Sequence, residues 1–194
     1  MLKKQNGNYS GIRKRSSFVI ISIAVFMGVV MLISPEILGL LGTKSYADSV
    51  YCVIPLVAGG FFAFLYNFPA RIEYYFEKTK FIMFGTMAAA LLNIILNYVF
   101  IKEYGYVAAA YTTLATYFLY FVFHLFLAGR IFNGRIFSVK TMLLSCAAIF
   151  IVTAVCVLFL RVVAVRMVIA AGAVAVFVVY EEKVMGIGKK VLIR

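Results

Sequence analysis

Chemistry-bearing side chains are scarce in this chain. Its 194 residues include one histidine, three cysteines and seven acidic groups. Cys52, Cys146 and Cys156 all lie in apolar stretches without C-x-x-C spacing. A zinc site or dithiol redox centre therefore has no basis, and the three read as small buried hydrophobes. The lone His124 offers no metal cluster. There is no nucleophile–base arrangement and no glycine-rich phosphate loop, so nothing points to an enzyme, a metal or a cofactor. No aspartate or glutamate falls within any apolar run. A proton or sodium relay normally needs such a carboxylate, so an ion-coupled function would place it at a helix end or in another chain.

What the chain has in abundance is apolar length. Hydrophobic residues make up 65% of it, with mean hydropathy +1.04, against about 45–50% in soluble domains. Six runs carry this excess: Ser17–Ile33, Val50–Phe68, Phe81–Ile101, Tyr104–Gly129, Thr141–Leu160 and Val162–Tyr180. Each is near the ~20 residues that a helix needs to cross a bilayer. The runs lack the alternation of a membrane β-barrel strand. The expectation is an all-α bundle of six transmembrane helices, with little chain left for a soluble domain.

Basic residues fall almost entirely in every second gap. Fifteen of the 19 Lys and Arg lie in the two tails and the segments Arg71–Lys80 and Arg130–Lys140. Cytoplasmic segments retain such charge, which predicts both termini inside. The net charge of +12 then reflects topology and attraction to anionic headgroups, not nucleic acid. The first run is too long for a signal-peptide core and Ser34-Pro35-Glu36 is no cleavage site, so it reads as a retained helix.

Local signals set the expected boundaries. Residues 1–16 read as a basic cytoplasmic tail. The first helix is expected to stop at Ser34-Pro35, with a turn at Gly42-Thr43-Lys44. Pro55 and Gly59-Gly60 predict a kink in the second helix. Arg71–Lys80 reads as a charged loop with Tyr74-Tyr75-Phe76 at the interface. Arg130–Lys140, with Gly134, reads as the next inner loop. Arg161 and Arg166 are expected to snorkel to the outer headgroups, since each would cost at least about 2.5–3.5 kcal/mol at mid-bilayer. Residues 181–194 read as a second cytoplasmic tail, helical only at its start.

Polar residues within the spans are the functional candidates. Thr86, Ala90, Asn93 and Asn97 share one helical face. They are either the wall of a polar cavity or interhelical hydrogen-bonding glue worth about 0.6 kcal/mol per contact. Thr113, Tyr117, Tyr120 and His124 form a second stripe. It is either suited to sugar hydroxyls and sugar faces or a packed interface, with His124 near the cytoplasmic headgroups. Ala108, Thr112 and Thr116 read as packing alone. Arg71, with Glu73, Glu77 and Lys78, either grips a phosphate, for which Arg is well shaped, or is a solvated loop.

From about Ile33 to Ile131 the residues resemble bacterial polysaccharide and O-antigen flippases of the multidrug/oligosaccharidyl-lipid/polysaccharide exporter superfamily. The resemblance lies in Ser34-Pro35-Glu36-Ile37-Leu38, Leu40-Leu41-Gly42 and Tyr46-Ala47. It continues in Tyr74-Tyr75-Phe76-Glu77-Lys78-Thr79-Lys80. It is fullest in Asn93-Ile94-Ile95-Leu96-Asn97, Ile101 and Tyr104-Gly105-Tyr106-Val107-Ala108-Ala109-Ala110, where Ala108 replaces the family glycine. It covers about half of the chain, residues 17–131 forming four helices of a C-terminal lobe and 132–180 an added hairpin. It implies a multi-pass protein of the bacterial cytoplasmic membrane, translocating lipid-linked oligosaccharide for polysaccharide, capsule or O-antigen synthesis. It also implies incompleteness alone, since such flippases have 12 or 14 helices in two lobes. A missing N-terminal lobe or a second copy would be the partner. The substrate-path candidates are Asn93, Asn97, Thr113, Tyr117, Tyr120 and Arg71. A non-transporting scaffold or accessory subunit, and a drug exporter of the same superfamily, are the alternatives. A drug exporter would call for an intramembrane carboxylate.

Overall fold

The computed structural model describes residues 9–41, 48–132 and 136–192. The described residues are all-α: α1 Ser10–Leu41, α2 Val50–Leu65, α3 Asn67–Tyr75, α4 Thr79–Tyr104, α5 Val107–Ile131, α6 Val139–Leu158 and α7 Val163–Leu192. Six spans are long and apolar enough to cross a membrane, α2 and α3 together making one of them. This is a multi-pass membrane protein. Lipid offers backbone groups no hydrogen bonds, and helices satisfy them internally.

The helices outrun the apolar runs that announced them. α1 begins within the expected basic tail and continues through Pro35, instead of ending there. Proline lacks the N–H that would reach the carbonyl of Met31. Ser34 Oγ donates to that carbonyl at 2.8 Å instead. The last helix likewise continues beyond Tyr180, through residues expected to form a largely non-helical tail. The turn expected at 42–44, the first eight tail residues and Gly134 lie outside the described residues.

α2 runs through Pro55 without interruption. Gly59 serves close packing. A Cβ there would lie 3.4 Å from the Leu114 Cα, so the missing side chain lets α2 and α5 approach closely. Below this contact, Phe61, Phe62 and Phe121 are fully buried and Phe62 meets the Phe118 and Phe150 rings. Rings packed against one another in this way bury large apolar area.

Around that centre α1 packs on α2, α6 and α7, while α6 also reaches α2. α4 is held differently: it packs chiefly on α5, with a lesser contact to α3. Gly85 is its one buried residue. Two ends of the bundle can be distinguished. The basic end carries the α3–α4 turn, where Glu77 adopts φ +57. The far end carries the α4–α5 turn, where Gly105 adopts φ +71 and ψ −168, a conformation that glycine tolerates and other residues resist.

Candidate functional site

The arrangement beside α4 is built from the two polar stripes. Asn97 Nδ2 donates to Asn93 Oδ1 at 3.0 Å, and Asn93 Nδ2 donates to Thr116 Oγ1 at 3.3 Å. Thr112 Oγ1 donates to Asn97 Oδ1. Nearer the basic end the Tyr120 and Thr86 hydroxyls meet at 2.8 Å, and Thr86 also donates to the Ile82 carbonyl. Asn93 and Asn97 thus join α4 to α5, as the interhelical reading required. Thr112 and Thr116, expected only to pack, are their partners. A threonine is small enough for close helix approach and still carries a hydroxyl, so its size and its polarity act together.

The same stripes leave a half-open groove of about 250 Å³ lined by Thr86, Asn93, Thr113, Thr116, Tyr117 and Tyr120, with Ala89 and Ala90. Asn93, Thr113, Tyr117 and Tyr120 are therefore brought together. Tyr117 remains exposed along the groove, whereas Tyr120 is buried. Thr113 turns its hydroxyl to the Ala109 carbonyl at 2.7 Å. Asn97 lies outside this groove, in the ladder above it. Arg71 is exposed on α3 and does not join the others.

Arg71, Glu73, Glu77 and Lys78 do not form a phosphate grip. Arg71 and Glu73 are on α3, which Pro69 opens in its first turn, and the two side chains point apart. Arg71, Glu77 and Lys78 are exposed, while Glu73 is buried. Its carboxylate meets His124 Nδ1 at 2.6 Å, both side chains being 0% exposed. His124 is thus buried within the bundle. Tyr66 and Tyr120 flank its ring, the latter edge-on with centroids 4.5 Å apart. Glu73 Oε2 and His124 Nε2 have no hydrogen-bond partner in the structure. A Cβ on Gly85 would stand 3.2 Å from that Nε2, so α4 covers the free nitrogen with its own backbone.

A second ion pair, with a buried arginine and a partly exposed glutamate, lies at the far end. Arg166 is 1% exposed and Glu36 36%. Arg166 Nη2 donates to Glu36 Oε1 at 2.5 Å, and Nη1 to Glu36 Oε2 at 2.8 Å. Nη1 also donates to the Leu32 carbonyl at 2.6 Å, one turn before Pro35. Arg166 therefore does not snorkel to the headgroups. The bidentate pairing and the carbonyl answer both Nη atoms and leave Nε without a partner, so most of the cost of burial is offset.

Two carboxylates, Glu36 and Glu73, are thus paired with basic side chains from other helices toward the ends of candidate spans. The apolar runs contained none, because the helices extend past the point where charge interrupts hydropathy. Cys146 and Cys156 are buried and Cys52 is half-buried, all three as free thiols. Among the described residues no group of three or more His, Cys, Asp or Glu is placed to hold a metal ion. Comparison with protein families, curated proteins and solved structures finds no match to the chain. The flippase resemblance stands on the sequence motifs alone.

Proposed function

We propose that this chain forms part of a transporter that moves lipid-linked oligosaccharide across a bacterial cytoplasmic membrane. The observation that carries the reading is the groove between α4 and α5. It places amide, hydroxyl and phenol groups together on spanning helices, where polar side chains facing lipid alone would be costly. Such a lining suits a glycan headgroup, with Tyr117 and Thr113 available to its hydroxyls and an aromatic face to stack on. The groove is open on one side. It therefore supplies one wall of a path, and alternating access would need a second lobe or a second copy moving against it.

The hydrogen-bond ladder from Asn97 to Thr116 favours the rival reading, a non-transporting scaffold whose polar residues hold helices together. A drug exporter of the same superfamily would be helped by a carboxylate inside the bundle, such as the buried Glu73. Reconstitution into liposomes with a fluorescent lipid-linked oligosaccharide separates these readings. Flipping by the chain, or by the chain with its partner lobe, that falls when Tyr117 and Thr113 are replaced by Phe and Val supports the path. Flipping at an unchanged rate in those variants removes it. Orientation is tested in parallel with single cysteines at Lys78 and Lys102 in a background without the native thiols. The charge asymmetry predicts that only position 102 reacts with an impermeant reagent outside intact cells.

A further inference from the structure

We propose that Glu73 and His124 form a one-proton binding site whose occupancy sets how closely α4 packs on α5. Such a site would act in the same way whatever the protein carries. One proton on Nδ1 is consumed by the 2.6 Å contact with Glu73 Oε1. In that state the pair is a buried anion, with bare lone pairs on His124 Nε2 and Glu73 Oε2. A second proton, taken from water at the basic end, neutralises the pair. It has two places to go, Nε2 or Oε2, and these are the two atoms without a partner. Either one then becomes a buried donor without an acceptor.

The neighbouring side chains determine how that donor is answered. The titratable groups facing the pair are Tyr66 from the end of α2, Tyr120 from α5, and Tyr74 of α3, which acts on Tyr120. From α4 the residues seated there are Gly85 and Thr86, neither of them titratable. Thr86 already donates to Ile82 and contacts Tyr120. Gly85 presents only backbone to Nε2, close enough that a single added carbon would crowd both Nε2 and, at 2.9 Å, the Phe123 ring. No acceptor can reach Nε2–H while α4 stays in place. A water molecule can do so if α4 eases away at Gly85. α4 is able to move because it rests mainly on α5 and buries only Gly85. Protonation of Nε2 therefore loosens α4, and loss of that proton lets it dock.

The chain has a single histidine, so histidine-specific ¹⁵N labelling in bilayers reports this site alone. The same bilayers, with spin labels on cysteines at the exposed positions Met83 and Val122 and the native thiols replaced, report the α4–α5 distance. As pH is lowered across the range in which the protein stays folded, Nε2 should pass from bare to protonated. A longer-distance population should grow at least about twofold over the same range. His124→Gln should hold the distance constant with pH, and Gly85→Ala should show the longer distance at both ends of the range. A histidine nitrogen that never changes state would overturn the proposal. So would a distance that stays fixed or shortens as Nε2 gains its proton, or a His124→Gln chain that keeps the wild-type response. The first two readings need no variant at His124 or Glu73.

Discussion

The two ion pairs sit at opposite ends of the bundle, and each holds a buried basic side chain in a different way. At the far end, Arg166 joins α7 to α1 through a bidentate carboxylate and a backbone carbonyl beside a proline. Arginine keeps its charge in proteins, so this contact is permanent. At the basic end, Glu73 and His124 share one contact and leave one atom each unanswered. Histidine can carry or shed a proton, so this contact is conditional. The first pair fastens α7 to α1; the second lies under α4, which rests mainly on α5. Both ends leave a buried atom without a partner, Arg166 Nε at one and Glu73 Oε2 with His124 Nε2 at the other, so the difference lies in the imidazole's ability to take up a proton.

That contrast is sharpest where removal of one partner strands the other. Glu36→Ala leaves a permanent guanidinium buried against one carbonyl, and should destabilise the fold by about 3–5 kcal/mol. Reversible unfolding in mixed detergent measures this, and a Glu36→Leu/Arg166→Leu double variant should recover most of the loss. A double variant no better than the single would mean that the pair matters for its shape rather than its charge. At the other end, Glu73→Ala should cost less, about 1–3 kcal/mol, because the imidazole left behind can be neutral. Equal losses at the two ends would erase the distinction between permanent and conditional pairs.

Smaller effects sharpen the role of α4. Gly85→Ala inserts a carbon 2.9 Å from the Phe123 ring and should lower stability by about 1–3 kcal/mol. Gly60→Ala, with nothing within 4 Å, should raise it by about 0.5–1 kcal/mol. Thermal melts of the two purified variants in one detergent give the comparison directly, and a shift of like sign in both would sink it. Least of all, Asn97→Ala removes one rung of the α4–α5 ladder and should cost about 0.6 kcal/mol. A hydrogen-exchange measurement confined to α4 is sensitive enough to see it.

Much of the architecture is legible in the sequence because bilayer thickness converts apolar length directly into helices. The ends of those helices are not. Pro35 and the charges Arg71 and Glu73 look like stops, yet Ser34 answers the carbonyl that Pro35 frees, and His124 answers Glu73. Arg166 likewise finds its partner inside the bundle. The pairs Glu36–Arg166 and Glu73–His124 are separated by 130 and 51 residues, and no hydropathy window spans such distances. The stripes on α4 and α5 are visible from helical spacing, down to Asn93, Thr113, Tyr117 and Tyr120 meeting at one groove. Arg71 stands apart from them because Pro69 opens a helix where the charge density suggests a loop. A clue to Glu73 is present: Pro69 in a first turn, followed by apolar Ile72 and Phe76, marks a helix with a buried face.

The separation between Glu36 and Arg166 also fixes an order of events during biosynthesis. α1 leaves the ribosome 130 residues before the arginine that completes it. At about 5–20 residues per second that interval is roughly 6–26 seconds. Throughout it, α1 resides in the membrane with a proline-interrupted stretch, a lone carboxylate and a carbonyl still awaiting Arg166. Arrival of α7 then fastens α1. A ribosome stalled before residue 166 holds a chain whose earlier spans have formed but whose first helix is not yet fastened, a state that membrane quality control would read as unfinished.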